Sequence, residues 1–243
     1  MAARPNILLI HADQLRFDCL GVNGHPLVQT PNLDRLAADG ANFRHAYTPA
    51  PICSPARASL LTGQWSFQHG CVSTPDTEIY KPAREDLPVF SSILADAGYT
   101  LGWVGKFHRE VTGDPISRGF TDYIPESAYD TWRQARGHAP KVRKNGWFGE
   151  VDMSISPEDS RLAWGAAQTV GLLDDYACKG DPFFLRWDPS EPHLPNVVPE
   201  PYASQHDPAS VEPWISFPDT LEGKPYIQAQ QRRTWDIDSW TWK

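Results

Sequence analysis

The 243-residue chain sets 22 Lys+Arg against 30 Asp+Glu, a formal net charge of −8, and carries 12% aromatic residues, ten of them tryptophan. That length suits one large domain or two small ones, and the aromatic content speaks for a packed interior and against disorder. An acidic chain with no basic stripe argues against a nucleic-acid partner, although a local cluster of cations still permits a small anionic substrate. Cys19, Cys53, Cys71 and Cys178 stand at irregular spacings with no C-x-x-C pair. That is the pattern of reduced thiols, not of a disulfide frame or a zinc site.

The opening "MAARPNILLIHADQ" has one arginine and a short apolar run broken by His11 and Asp13. It is too short for a signal-peptide core or a membrane span, so the expected compartment is the cytoplasm, with no membrane partner. Within it, Asn6–Ile10 reads as a strand buried on both faces of a parallel sheet. "TPNLDRLAADG" predicts a helix with Thr30 as N-cap, Pro31 in the first turn, Gly40 past the end, and an apolar face of Leu33, Leu36 and Ala37. Residues 56–61 predict a short helix entered through Pro55, and "LPVFSSILADAG" (87–98) a third. "YTLGWVGKFH" predicts a strand whose far end carries Lys106 and His108. Ser156 and Pro157 then predict the start of a long helix, with acids in its first turn. "PFFLRWD" (182–188) is another buried-strand candidate.

Residues 189–225 hold nine prolines and predict an irregular surface segment. Helices alternating with apolar strands imply an α/β fold, a mainly parallel sheet flanked by helices. In such sheets ligands gather beyond the carboxyl ends of the strands.

Each polar residue at those ends has an ordinary reading by itself. Asp13 could cap a helix, His108 and His193 could be hydrogen-bonded structural histidines, Lys106 a solvated charge, and Cys53 a small buried apolar group. Their arrangement favours chemistry. Asp13 and Gln14, Cys53 and Arg57, Lys106 and His108, and His193 all fall just past a strand or at a helix entrance. A sheet that brings those ends to one rim would join oxygen ligands, a group at a helix N-terminus and several cations. That set suits an anionic ester.

"CSPARASLLTG" resembles the signature of the type I, formylglycine-dependent sulfatases of the alkaline-phosphatase-like superfamily: C-x-[PA]-x-R and a short helix ending in T-G. "RPNILLIHADQLRFDCLG", "TPNLDRLAADGANFRHAYT", "GYTLGWVGKFH" and "PFFLRWDPSEPHLP" resemble other segments of that family, in family order, over roughly Arg4 to Tyr202. The resemblance implies that a separate formylglycine-generating enzyme oxidises Cys53 to an aldehyde. Its hydrate would attack the sulfur of a small-molecule sulfate ester through one hydroxyl and expel sulfate through the other. Pro55 and Arg57 match motif positions, and Arg57 would hold the diol. Asp13 and Gln14 match the first two metal-site positions, so that Asp13, Gln14 and the group derived from Cys53 would meet a divalent metal. Calcium is the family's usual ion and manganese the alternative. Lys106 and His108 match the pair contacting sulfate and diol, with His108 as the base of sulfate elimination. His193 matches the histidine on the leaving-group side.

Two departures qualify the match. Gln14 replaces a common aspartate and resembles choline-sulfatase-like and phosphonate-monoester-hydrolase-like members, which keeps a phosphonate monoesterase or phosphodiesterase as the alternative activity. The family's second metal pair, Asp followed by Asn or His, has no counterpart after Pro195; "DIDSWTW" has aspartates but no preceding apolar strand. Residues 1–243 therefore read as the N-terminal portion of a sulfatase catalytic domain, truncated before its C-terminal part. Exposed apolar faces, weak calcium binding and low or no activity of this chain alone are the corresponding expectations, and an inactive anion-binding fragment is the non-enzymatic alternative. The 132–147 stretch and the proline-rich segment are the expected walls around the alcohol half of the substrate.

Overall fold

The computed structural model describes residues 4–141, 149–213 and 216–234. Trp147 and the aspartates of "DIDSWTW" lie outside them. In chain order the elements are β1 (Ile7–Ile10), α1 (Pro31–Asp39), α2 (Cys53–Thr62), α3 (Ser66–His69), α4 (Phe90–Asp96), β2 (Thr100–Gly105) and β3 (Asp122–Pro125). There follow α5 (Ala128–Ala135), β4 (Glu150–Val151), α6 (Arg161–Lys179), β5 (Phe183–Asp188), β6 (Val197–Val198) and α7 (Tyr226–Thr234). The chain divides into two compact units, Met1–Ala203 and Ser204–Lys243.

In the first unit four strands form one parallel sheet in the order β1-β5-β2-β3. Side chains alternate across a strand, and β2 shows the consequence. Leu101 and Trp103 enter a cluster with Ala58 and Leu61 of α2, Val89, Phe120 and Phe184 on one face. On the opposite face Tyr176 of α6 packs with Phe183 and Leu185. A Cβ on Gly102 would stand 2.5 Å from the Tyr176 hydroxyl oxygen, so glycine is what lets α6 approach β2. The result is the expected α/β arrangement, with helices on both faces of a parallel sheet.

The strand β1 departs from expectation. It alternates between half-buried and exposed residues, with Leu8 at 45% and Ile10 at 52% exposure. Among the described residues it is an edge strand, paired only with β5, and α6 covers β5 and β2 instead. A continuous apolar run cannot by itself distinguish a central strand from an edge strand with one bare face. The apolar positions Leu33 and Leu36 of α1 are likewise exposed.

Helix boundaries moved for local reasons. Helix α2 starts at Cys53, three residues before the predicted start, because Pro55 fits within a first turn that needs no amide donor there. Gly63 closes it in the left-handed conformation, φ 66. The Thr30 side chain precedes α1 without a capping bond to its backbone; its hydroxyl donates to the Asp34 carboxylate instead. Residues Pro157–Asp159 form a separate 3-10 turn, and Ser160, not Ser156, caps α6 by accepting from the Ala163 amide (3.2 Å).

The segment 189–225 is irregular among its described residues, apart from β6 and one 3-10 turn, Pro208–Ser210. The β6 strand pairs in parallel with β4. Basic residues near α5 are committed to ion pairs: Arg133 to buried Asp152 (2.6 Å) and Lys141 to Asp130 (3.2 Å). In the second unit, Asp207 caps the Pro208–Ser210 turn and Lys224 pairs with Asp219. Among the described residues no helix is long and apolar enough to cross a membrane.

Candidate active site

Because all four strands run the same way, the residues after β1, β2 and β5 meet at one rim. Asp13 follows β1, Lys106 follows β2, and His193 lies five residues past β5. Cys53 is the first residue of α2. A cavity of about 420 Å³ opens here, lined by His11, Asp13, Gln14, Cys53, Arg57 and His193 among others. One ligand atom each from Asp13, Cys53 and His193 falls within 4.8 Å of the others. Gln14 lines the same cavity with φ 59, a sparsely populated conformation for a residue with a side chain.

Lys106 and His108 stand behind this lining. Lys106 Nζ donates to Asp13 Oδ2 (2.6 Å) and lies 3.9 Å from Cys53 Sγ. His108 joins through Ser54, whose hydroxyl donates to the His108 carbonyl (2.8 Å) and sits 3.2 Å from its Nδ1. Burial, with Lys106 second, holds the His108 imidazole below its usual range, so the ring is a neutral acceptor at pH 7. The structure therefore places all seven residues singled out from the sequence at one rim, with His108 reached through its neighbour.

Arg57 leads to groups that the sequence did not mark, Asp188, Arg186 and Glu110 among them. Arg57, 1% exposed, is a bridge: Nη2 donates to Asp13 Oδ2 (3.1 Å) and Nη1 to Asp188. Asp188 ends β5 fully buried and accepts from Arg186 two residues earlier (2.7 and 2.5 Å); His11 Nδ1 is 3.4 Å away. Arg186 in turn lies over the Trp103 ring, 3.9 Å from its centroid. Glu110, also buried, accepts from the His108 amide (2.7 Å). A visible signal existed: Arg186 and Asp188 are charges two apart in an otherwise apolar strand, hence on one face.

The expected cluster of cations needs refinement, because both cations nearest Cys53 already face carboxylates. Burial and Asp13 push the Cys53 thiol upward and outweigh Lys106 and Arg57. Cys53 at this helix start is thus a protonated thiol at neutral pH, not the thiolate that a nucleophilic cysteine requires.

This rim and sheet define the class, an α/β protein of the alkaline-phosphatase-like fold. The structure resembles the phosphonate monoester hydrolase of Agrobacterium radiobacter, with a TM-score of 0.71 and 26% identity over 87% of this chain and 45% of that one. The model of the Sulfatase family matches residues 5–219, and the chain belongs to that family. It is 45% identical over 105 residues to an arylsulfatase of Clostridium perfringens, covering 43% of this chain and 21% of that protein. It is 29% identical over 215 residues to human N-acetylgalactosamine-6-sulfatase, covering 82% and 41%. The chain spans less than half the length of these curated relatives.

Proposed function

We propose that this chain carries the nucleophile-bearing part of a sulfate ester hydrolase, with Cys53 as the precursor of its nucleophile. The observation behind this reading is the position of Cys53. It begins α2 at a cavity shared with Asp13, Arg57 and His193, with Lys106 3.9 Å away, yet its thiol is held protonated. Oxidation of Cys53 to formylglycine would supply a hydrated aldehyde, an oxygen nucleophile that needs no thiolate.

The remaining roles follow from position. Arg57, locked by Asp13 and Asp188, orients the group at position 53 and cannot swing away. Lys106 offers its ammonium to an anion beside Cys53, while His108, neutral and braced by Ser54, accepts a proton. His193, facing Asp13 and Cys53, serves the departing alcohol. Asp13 and Gln14 offer hard oxygen donors and fit as part of a divalent-cation site, calcium or manganese. Calcium takes six to eight oxygens, so these two side chains and position 53 make only a partial shell. Such an ion would supply Lewis-acid polarisation of the ester.

The similarity to a phosphonate monoester hydrolase, together with Gln14, supports phosphonate monoester hydrolysis as the second reading. Two measurements test these readings. Peptide mass spectrometry after co-expression with a formylglycine-generating enzyme should find the aldehyde at position 53, and an unmodified thiol would count against the proposal. A paired assay with an aryl sulfate and a phosphonate ester, with Cys53→Ala as control, should favour the sulfate. It is run on this chain and on any longer reading frame that contains it; the reverse preference selects the second reading.

A further inference from the structure

His193 sits on an irregular segment rather than on a helix or strand, yet it must meet Asp13 and Cys53 to within a few ångströms. The structure shows what holds that segment. It leaves β5 with the Asp188 carbonyl accepting from the Lys106 amide (2.8 Å), then turns, with the His193 amide donating to the Ser190 carbonyl (2.9 Å). Both donors of Ser190 are taken by one carboxylate: its amide donates to Glu126 Oε1 (3.2 Å) and its hydroxyl to Glu126 Oε2 (2.7 Å). The next residue, Glu191, is gripped by Arg161, whose Nε and Nη2 reach Oε1 at 2.8 and 2.7 Å.

The two grips are joined, because Arg161 Nε also lies 3.5 Å from Glu126 Oε1. Burial disfavours the Arg161 charge, but Glu191 and then Glu126 outweigh that and keep the guanidinium charged. The anchors themselves are on rigid elements. Glu126 directly follows β3, its amide donating to the Gly105 carbonyl (3.2 Å), and Arg161 is the first residue of α6. Loop residues gain precision when charged, multidentate partners on such elements fix them.

We propose that Glu126 and Arg161 are positioning residues for His193, a two-sided clamp on Ser190 and Glu191 that sets the approach of the imidazole to Asp13 and Cys53. Neither Glu126 nor Arg161 lines the cavity, so the clamp acts through the turn. Its catalytic consequence rests on the role proposed above for His193, whereas its structural consequence does not.

The test uses long-range 1H–15N spectra of the histidine rings of this chain, with the His193 signals assigned by loss in His193→Asn. Glu126→Ala and Arg161→Ala should each shift the His193 ring signals toward those of a free, tautomer-averaged imidazole, while His108 keeps its own. Glu126→Gln, which retains an acceptor for Ser190, and Arg161→Lys, which retains the charge but not the fork, should shift them less. They also serve as the readout if the alanine variants do not fold. Unmoved His193 signals in folded variants, or equal shifts at His193 and His108, overturn the proposal. In a matured protein that turns over an aryl sulfate, Glu126→Ala should lower kcat about 10- to 100-fold, the usual cost of losing an outer-shell partner, with KM little changed. Low or no turnover is the expectation for this chain alone; absence of turnover in a longer reading frame that contains the chain would fault the functional reading and leave the spectra to decide the clamp.

Discussion

Lys106 donates to Asp13 across 2.6 Å, although the strands that present them are not neighbours. Asp13 follows β1 and Lys106 follows β2, with β5 between them. The contact bridges the end of the central strand, and Asp188 at that end is bound by Arg57, which also holds Asp13. The rim is thus fastened by charges 44 to 131 residues apart in sequence, and its stability and chemistry are linked.

Arg57→Ala should be among the most destabilising single substitutions. The guanidinium is 2% exposed and faces two carboxylates at 9% and 0% exposure, so its removal takes one cation from each, leaving Asp13 to Lys106 and Asp188 to Arg186. Loss of one partner of a buried pair costs about 3–5 kcal/mol. Urea unfolding should show a drop of that order. A loss below about 1 kcal/mol, the range of exposed ion pairs, would mean that water reaches the pair.

Asp188 makes folding sensitive to acid. Burial alone would raise its carboxyl; Arg186, His11 and Arg57 outweigh it and hold it at about 2, against an ordinary 3.8. The depressed value means stabilisation that is full well above pH 3.8 and is lost as pH falls through about 2. The linked contribution is about 2 kcal/mol. A carboxyl 13C titration should give Asp188 a midpoint near 2, and an ordinary midpoint would refute the link.

Ser54→Ala should separate bracing from chemistry. The hydroxyl bonds the His108 carbonyl and stands by its ring, so its loss should cost about 1 kcal/mol of stability. If His108 is the base, a small displacement of its ring should lower kcat about 10- to 100-fold. Ser54→Thr, which restores the hydroxyl, should recover most of the rate.

Calcium should bind this chain weakly. With Asp13 Oδ2 engaged by Lys106 and Arg57, and few oxygen donors in the cavity, the Kd should exceed about 10⁻⁴ M. Titration calorimetry on the chain and on Asp13→Asn measures this directly. Submicromolar binding, or heat that survives Asp13→Asn, would place the ion elsewhere.

Family, fold class and the rim were legible in the sequence because their signals are local. "CSPAR" is a contiguous motif, the apolar runs that became β1, β2 and β5 are short and bounded, and the candidate residues lie within a few residues of such a run or in the first turns of a helix. Parallel strands then send those residues to one end by geometry alone. What the sequence left open depended on distant neighbours. The exposed face of β1, the bridge from Arg57 to Asp188, the bracing of His108 by Ser54 and the grip of Glu126 and Arg161 on the His193 turn all depend on which elements pack together. The order β1-β5-β2-β3 is not the chain order, so the partners of a buried charge are chosen by the packing, not by its sequence neighbours. A buried charge requires a partner wherever it lies, but only the tertiary structure decides which one.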